Sequence, residues 1–225
     1  MTYAIEDYAD AEMLAINLAN KIAGELTAAL DHEERALLAV PGGTSPGPVF
    51  DSLCAADLDW ARVDVVLTDE RWVPEDSPRS NTRLIRERLL VNRAEVARFL
   101  PLYAAAENPE DVLAELESQL SPNLPIAVLL LGMGLDLHTA SLFPGADRLE
   151  QALAPDAPIL MAMRAPGAPE PRVTLTGRVL NEALKKHVLI FGQAKRDALE
   201  ASRGQPVELA PIRAVLDGAT VHWAE

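Results

Sequence analysis

The sequence predicts an α/β fold built on a largely parallel β-sheet. Segments with helical periodicity alternate with short apolar runs, which is the order that βαβ units produce. Polar clusters follow at least three of these runs, and loops after parallel strands are where small-molecule sites form. A length of 225 residues fits one domain, so we expect a single domain over residues 1–225 with one large core.

The charge composition limits the partners that we expect. The net charge is −14, from 20 Lys plus Arg against 34 Asp plus Glu, and this field disfavours nucleic acid as a partner. An anionic ligand would need basic residues gathered in one place. The acidic N-terminus lacks the features of a signal peptide, and no apolar run reaches the roughly 18 residues of a membrane span. We therefore expect a cytoplasmic protein with no membrane partner, in which the one cysteine, Cys54, is a buried apolar filler.

The first third of the chain predicts a helix, a strand and a glycine-rich loop. Residues 7–30 place apolar side chains three and four apart, which favours an amphipathic helix. Ala36–Val40 reads as the first strand, and the loop Gly42–Ser45 follows it. Ser45 is expected to cap the next helix, with Pro46 as its first residue. Such a loop is either an anion site at a helix N-terminus or an ordinary tight turn.

A second strand, Val63–Leu67, leads into a charged segment. The sequence Asp-Glu-Arg at residues 69–71 follows this strand directly, either as a functional cluster or as solvated charges that pair with one another. Ser80 or Asn81 is expected to cap the next helix, and residues 107–120 predict another amphipathic helix.

The second half of the chain predicts the central strand of the sheet. The apolar run Ile126–Leu131, bounded by proline and glycine, is typical of a strand that is buried on both faces. Thr176 is expected to cap a helix. Four further strands are predicted near residues 159–161, 172–175, 188–191 and 220–223, the last of them at the edge of the sheet.

Two motifs suggest other chemistries, and neither is complete. Gly132 and Gly134 follow the central strand as in a dinucleotide-binding loop, but Leu137 occupies the position of the third glycine. Residues 43–47 match the G-x-S-x-G elbow of serine hydrolases. The residue after that serine is Pro46, which lacks the backbone N–H that an oxyanion hole needs. We therefore favour neither a dinucleotide site nor a serine nucleophile.

The four histidines are scattered, and none has the spacing of a metal-ligand pair. We expect His32 to be a solvated helix-end residue, His187 to start a strand and His222 to face outward. His138 differs because it lies two residues after Asp136, and residues two apart in an extended segment point the same way. The spacing leaves two interpretations open: a carboxylate that orients a reactive imidazole, or a turn-capping aspartate beside a structural histidine.

The loop after the central strand resembles the signature of a known enzyme family. The segment Gly132–Gly145, GMGLDLHTASLFPG, is similar to the signature of the 6-phosphogluconolactonases, members of the glucosamine-6-phosphate deaminase-like fold superfamily. Further segments resemble the family in the same order: GGTSP at 42–46, DER at 69–71 with VP at 73–74 and SN at 80–81, RVTLT at 172–176, and Gly192 with Lys195.

The resemblance carries expectations about fold, activity and partners. It implies a three-layer, doubly wound α/β/α fold with a Rossmann-like, mainly parallel sheet. It also implies hydrolysis of 6-phospho-D-glucono-1,5-lactone in the pentose phosphate pathway, with neither a metal nor an organic cofactor. The implied partner is therefore a small phosphorylated sugar lactone, and we expect the protein to be a monomer or a weak homodimer.

The resemblance also implies roles for individual residues. His138 would be the general base that activates water against the lactone carbonyl, and Asp136 would orient it. Arg71 would stabilise the developing oxyanion or grip the substrate, and Asp69 would bind sugar hydroxyls or position Arg71. The 6-phosphate is expected on one loop and two basic side chains: Gly42, Gly43, Thr44, Ser45, Arg172 and Lys195.

One residue departs from the family pattern. The family usually has glycine between the aspartate and the histidine, where this chain has Leu137. Because φ > 0 is costly for leucine, either the backbone is ordinary at this position or the loop has shifted. One alternative is therefore a binding protein of the same fold without chemistry. A second alternative is a sugar-phosphate isomerase or deaminase, because these enzymes resemble the chain at the glycine loop and at the loop with Asp136 and His138. The deaminases carry a glutamate shortly after the histidine, whereas residues 142–144 here are Leu-Phe-Pro.

Overall fold

The computed structural model describes residues 2–225, and it contains a seven-stranded sheet with every neighbouring pair parallel. In chain order its strands are β1 Ala4–Asp7, β2 Ala36–Val40, β3 Val63–Leu67, β5 Arg98–Leu100, β6 Val128–Gly132, β9 Lys185–Phe191 and β10 Thr220–Ala224. A three-stranded antiparallel sheet is built from β4 Asp69–Arg71, β7 Leu160–Met163 and β8 Arg172–Leu175.

Helices connect the strands and pack against the sheets. They are α1 Ala11–Leu30, α2 Gly47–Leu53, α3 Asn81–Arg88, α4 Leu113–Leu120, α5 Leu149–Leu153, α6 Gly177–Asn181 and α7 Gln193–Ala201. The long helix α1 contacts β2, β6 and β10, whereas α7 contacts β9 and α4 contacts β7. A largely parallel sheet with flanking helices confirms the predicted fold class. In residues 2–225, no helix is long and apolar enough to cross a membrane.

The order of the main sheet, β1-β10-β9-β6-β2-β3-β5, creates a crevice at one place. From β2 the chain continues to β3 and β5 on one side, and from β6 it continues to β9 and β10 on the other. The connections therefore diverge above the carboxyl ends of β2 and β6, which is where open α/β sheets bind ligands. The loops after these two strands begin at Pro41 and Met133.

Several predicted elements are confirmed, and the differences have simple causes. Ala36–Val40, Val63–Leu67 and Arg172–Leu175 are strands as predicted, because runs buried along their whole length read as apolar or β-branched segments. The helix predicted over residues 7–30 begins at Ala11, since β1 occupies the preceding residues. The helix predicted over residues 107–120 divides into a 3₁₀ turn and the shorter α4.

The three capping predictions have different outcomes. Ser80 caps α3 as expected, because its hydroxyl accepts from the Arg83 N–H. The prediction that Ser45 caps α2 is wrong: Pro46 takes the N-cap position with helical φ and ψ, and no side chain caps the helix. Thr176 precedes α6 as predicted, but its hydroxyl donates to the Pro158 carbonyl and does not cap the helix.

The last strand and its histidine also differ from expectation. The β10 strand is not at the sheet edge, because β1 pairs with its outer side. His222 is fully buried because α1 packs against β10, and the prediction that it faces outward is wrong. Its Nε2 lies 3.0 Å from His187 Nδ1, and its Nδ1 lies 2.9 Å from the Tyr8 hydroxyl.

This buried histidine pair is enclosed by carboxylates at both ends. His187 Nε2 lies 2.6 Å from Glu25 on α1, and the Tyr8 hydroxyl donates to Glu6 at 2.8 Å. Burial, with the neighbouring His187 adding to it and Glu6 opposing it, lowers the pKa of His222 to about 3. Burial and Glu6 raise the pKa of Tyr8. We refer to these five side chains, Glu6, Tyr8, Glu25, His187 and His222, as the histidine cluster.

Candidate functional site

A cavity of about 410 Å³ lies above the carboxyl ends of the central strands. Its walls come from the loops after β2 and β6, from β4 and β8 of the small sheet, and from α7. Of the residues predicted for the site, those that line it are Gly42, Gly43, Thr44, Ser45, Asp69, Arg71, His138, Arg172 and Lys195. The structure therefore gathers residues that are up to 153 positions apart in the sequence, from 42 to 195, around one cavity.

Asp136 lies beside this cavity and contacts His138. Its Oδ1 is 2.5 Å from His138 Nδ1 and also accepts from the His138 backbone N–H at 3.3 Å. The contact agrees with the interpretation in which the carboxylate orients the imidazole. No described residue contacts the other ring nitrogen, Nε2, within hydrogen-bond distance, so one nitrogen is held and the other is open to the cavity.

The approach of these two side chains depends on Gly134. A Cβ atom at this position would lie 2.2 Å from His138 Nδ1 and 2.4 Å from Asp136 Oδ1, which is far inside van der Waals contact. The Gly134 N–H donates to the His138 carbonyl at 3.0 Å, so the loop closes on itself around the glycine. Any larger residue at 134 would separate the pair.

Leu137 has a left-handed backbone, with φ of 68°. An ordinary backbone, one of the two possibilities that the sequence leaves open, is therefore wrong. The conformation costs a leucine roughly 1–2 kcal/mol, and the side chain, which is 8% exposed, offsets this by joining the core. Its N–H donates to the Gly134 carbonyl and its carbonyl accepts from the Ile212 N–H, both at 3.0 Å.

Arg71 and Arg172 lie directly opposite each other on β4 and β8. Like charges in this position destabilise a sheet, and in both residues Nε is buried with no hydrogen-bond partner among residues 2–225. Burial, aided by Arg71 and opposed by Asp69, lowers the pKa of Arg172. Its guanidinium carbon lies 5.7 Å from the centre of the Phe143 ring. The pair is suited to an anion that satisfies both side chains.

The Asp69 carboxylate is near Arg172 and accepts hydrogen bonds from two hydroxyl groups. The Ser141 hydroxyl donates to its Oδ2 at 2.6 Å, and the Thr68 hydroxyl donates to its Oδ1 at 3.3 Å. Arg172 Nη1 is 3.6 Å from the same Oδ2. The Asp69 carboxylate is therefore fixed by two hydroxyls and faces one cation.

The third cation of the cavity is Lys195, near the start of α7. Burial lowers its pKa, and its ammonium has no ion-pair or hydrogen-bond partner among residues 2–225. In the same cavity, the backbone N–H groups of residues 43–45 are likewise unpaired in the described chain. Three cationic side chains and one carboxylate thus line the cavity of a protein whose net charge is −14.

Three polar residues for which the sequence predicts no role in the site hold this arrangement together. Asn81 accepts from Arg71 Nη1 at 3.1 Å and donates to the Asp69 carbonyl at 3.0 Å. Ser141 donates to the Asp69 carboxylate, and Glu70 is a fully buried carboxylate that accepts from the Asn81 N–H at 2.8 Å. Each lies in a motif that the family resemblance includes, and that position is the one sequence signal that could have identified them.

Comparisons with known proteins identify relatives over nearly the whole chain. The family model described as glucosamine-6-phosphate isomerases/6-phosphogluconolactonase matches residues 9–223. A 6-phosphogluconolactonase of Rhizobium meliloti (strain 1021) is 44% identical over 220 residues, which is 94% of both chains. One of Mesorhizobium japonicum is 42% identical, covering 99% of this chain and 96% of the relative.

A solved structure shows the same fold. The crystal structure of a 6-phosphogluconolactonase from Shewanella baltica OS155 superposes with a TM-score of 0.96 at 34% sequence identity. The match covers 100% of this chain and 98% of that chain. The arrangement of strands and helices described above is therefore that of this relative.

Proposed function

Because the chain belongs to the family of glucosamine-6-phosphate isomerases and 6-phosphogluconolactonases, we propose that it hydrolyses 6-phospho-D-glucono-1,5-lactone to 6-phosphogluconate. The observation that carries this proposal is the pair His138 and Asp136, placed at the edge of a cavity lined by cationic side chains. Hydrolysis needs a base for water and positive charge for the oxygen that becomes anionic, and the cavity offers both.

In the proposed first step, His138 Nε2 accepts a proton from water while the water oxygen attacks C1 of the lactone. Asp136 accepts a hydrogen bond from Nδ1–H, which fixes the neutral tautomer and stabilises the imidazolium that forms. A positioned base of this kind contributes on the order of 10²–10⁴ in rate. The step yields a tetrahedral intermediate with one negative oxygen.

Arg71 is the candidate to stabilise that oxygen. Its guanidinium donates to two neutral acceptors, the Arg79 carbonyl and the Asn81 side chain, so its charge is not neutralised by a carboxylate. When the intermediate collapses, the bond from C1 to the ring oxygen breaks, and the imidazolium returns its proton to that oxygen. The product is the open-chain carboxylic acid, which releases its remaining proton to solvent to become the carboxylate, and His138 is neutral again.

The phosphate of the substrate is proposed to lie at the other end of the cavity. The unpaired N–H groups of residues 43–45, the ammonium of Lys195 and the guanidinium of Arg172 line the same cavity as Arg71 and supply its donors for a phosphate. Pro46 and Pro48 remove two N–H groups from the first turn of α2, so the basic side chains carry more of this interaction than the helix does. Asp69, whose carboxylate also lines the cavity, is proposed to accept hydrogen bonds from the sugar hydroxyls.

The place where the isomerising deaminases carry a glutamate is occupied by an aromatic ring. Phe143 stacks on His138 with ring centres 4.2 Å apart, and residues 142–144 contain no carboxylate. Proton transfer between two sugar carbons would need such a second group, whereas lactone hydrolysis does not. This contact favours hydrolysis over isomerisation.

The proposal is tested by following lactone hydrolysis directly. The lactone is generated from glucose 6-phosphate with its dehydrogenase, and its disappearance is compared with and without this protein. We expect acceleration well above the spontaneous rate and no conversion of glucosamine 6-phosphate. An unchanged rate would refute the hydrolase, and conversion of glucosamine 6-phosphate would favour the isomerase.

We also propose that the enzyme acts in the cytoplasm as a monomer or a weak homodimer. Every side chain used above comes from one chain, so the mechanism needs no second copy. Sedimentation velocity over a range of concentrations tests the assembly state. Activity that appears only with a dimer would contradict this part of the proposal.

A further inference from the structure

Glu70 is a buried carboxylate with no ion-pair partner among residues 2–225. It lies in β4 between the two predicted site residues Asp69 and Arg71, and its exposed fraction is 0%. Burying a carboxylate is costly unless hydrogen bonds and positive potential compensate for it. Glu70 is compensated entirely by uncharged donors, most of which belong to the N-terminus of α3.

Four hydrogen bonds end on this carboxylate. Its Oε1 accepts from the backbone N–H groups of Arg71 at 2.7 Å and Asn81 at 2.8 Å. Its Oε2 accepts from the Thr82 N–H at 2.7 Å and the Ser80 hydroxyl at 3.1 Å. The first turn of α3, with its positive dipole end, is thereby fixed to β4. Both carboxylate oxygens are fully used.

The residues that Glu70 holds are the ones that hold the Arg71 side chain. Asn81, the first residue of α3, accepts from Arg71 Nη1 and donates to the Asp69 carbonyl. Arg71 Nη1 also donates to the carbonyl of Arg79, which immediately precedes the cap of α3. The guanidinium therefore has two anchors, and both belong to the segment that Glu70 fixes.

The same segment closes against the loop after β2. A Cβ atom on Gly42 would lie 2.0 Å from the Asn81 side-chain oxygen, so the amide packs directly on the glycine backbone. A displacement of the α3 N-terminus would move Arg71, Asn81 and the Gly42 loop together. Misplacement of reacting groups by about 1 Å can cost on the order of 10²-fold in rate.

We propose that Glu70 is a positioning residue that acts through Arg71. Its carboxylate holds the α3 N-terminus where Asn81 and the Arg79 carbonyl can orient the guanidinium toward the cavity, without neutralising the guanidinium charge. This inference rests on the proposed lactone hydrolysis for its kinetic effect, and it assigns no contact between Glu70 and substrate.

A double-mutant cycle with Glu70→Gln and Arg71→Lys tests the proposal. An amide has one acceptor oxygen and one NH₂ group, so E70Q must lose acceptance from at least two of the four donors. We expect E70Q to lower kcat about 10–100-fold with KM changed less than about threefold. Lysine keeps the charge, but its side chain is shorter and lacks the planar guanidinium that the Arg79 carbonyl and Asn81 orient, so in the R71K background E70Q should lower kcat less than about threefold.

A structural role without positioning gives a different result. If Glu70 only stabilises the fold, E70Q lowers the melting temperature and reduces kcat by the same factor in both backgrounds, and that outcome overturns the proposal. Glu117→Gln is the matched control, because Glu117 also accepts from a backbone N–H, that of Leu160 at 2.8 Å, and does not line the cavity. We expect E117Q to keep kcat.

Two further measurements keep the result decisive. If E70Q does not fold, Glu70→Asp keeps the charge but shortens its reach, and it should show the same dependence on Arg71. The affinity for 6-phosphogluconate, measured by calorimetry over the same cycle, gives a readout without turnover, because its carboxylate carries the negative charge that Arg71 is proposed to meet and that the neutral lactone carbonyl lacks. A wild-type protein that does not hydrolyse the lactone refutes the function alone, whereas additive effects of E70Q and R71K on affinity refute the positioning role.

Discussion

His138 and His222 are both imidazoles with close polar partners, and they differ in what their second ring nitrogen meets. At the cavity, Asp136 holds Nδ1 of His138, the side chain is 31% exposed, and Nε2 is open. In the histidine cluster, Tyr8 and His187 occupy both nitrogens of His222, which is 0% exposed. A ring with one free nitrogen can exchange a proton with a ligand or water, whereas a ring with both nitrogens bonded is part of the scaffold.

The largest effect is expected from removing the open imidazole. His138→Ala should lower kcat for the lactone by on the order of 10²–10⁴, because the general base is lost, while the melting temperature changes little. The lactone assay and thermal unfolding measure the two quantities. An H138A variant with wild-type kcat would remove the distinction between the two histidines.

The histidine cluster should instead control how stability depends on pH. With a folded-state pKa of about 3, against an ordinary value of 6.5, His222 stays neutral in the fold while the unfolded chain takes up a proton. The free energy of unfolding is therefore unaffected by this residue above pH 6.5 and falls as the pH drops from 6.5 toward 3. A full shift of this size corresponds to up to about 5 kcal/mol, at about 1.4 kcal/mol per pKa unit.

Denaturant unfolding at a series of pH values checks this expectation. His222→Phe removes the titrating group and should flatten the curve between pH 6.5 and 3, at the cost of lower stability at neutral pH. His32→Gln is the control, because His32 is exposed and should leave the slope unchanged. If the free energy of unfolding of the wild-type protein does not fall between pH 6.5 and 3, His222 takes up a proton in the folded state and the expectation is wrong.

A smaller effect is expected from one hydroxyl of the cluster. Tyr8→Phe removes the hydroxyl that lies 2.9 Å from the buried His222 Nδ1 and leaves only Glu6 Oε2, at 3.4 Å, near that nitrogen. The loss should cost about 1–3 kcal/mol, or about 2–4 °C in melting temperature for each kcal/mol. Tyr103→Phe is the matched control, since its hydroxyl has no partner among residues 2–225. Equal melting temperatures for the two variants would contradict a structural role for the Tyr8 contact.

The smallest effect concerns the residue before His138. Leu137→Gly relieves backbone strain of about 1–2 kcal/mol but removes a buried side chain that contributes about 1.5–3 kcal/mol. The two nearly cancel, so we expect a loss of about 1 kcal/mol and little change in kcat. Leu135→Gly, at a 62% exposed position in the same loop, is the control. A loss above about 4 kcal/mol would mean that Leu137 is not strained.

The strands of the main sheet that are buried at every residue could be predicted from the sequence, and those that are partly exposed could not. The runs Ala36–Val40 and Val63–Leu67 are buried throughout, so their apolar composition identifies them. The edge strands β1 and β5 were not predicted, because they are short and polar or half exposed. The β4 strand has the sequence Asp-Glu-Arg, which carries no strand signal, and it is a strand because it pairs with β8.

The site was predictable as a set of residues but not as a set of contacts. The family signature identified His138 and Arg71, yet it contains nothing that separates a charged residue facing the cavity from one buried behind it. Glu70 is as charged as its neighbours in the sequence, and the structure alone places it under α3. Similarly, alternation along β10 predicts an outward His222 only if nothing packs on that face of the sheet, and α1 packs against β10.

Gly134 and Leu137 differ in which substitutions this loop can tolerate during evolution. Position 137 has the unusual backbone and nevertheless accepts a side chain, because the core has room for it. Position 134 has no left-handed φ, but a Cβ there would collide with both His138 and Asp136. Random substitution coupled to selection for activity should therefore return many residues at 137 and glycine alone at 134. A motif that requires glycine at 137 would miss relatives such as this chain, whereas one that requires it at 134 would retain them.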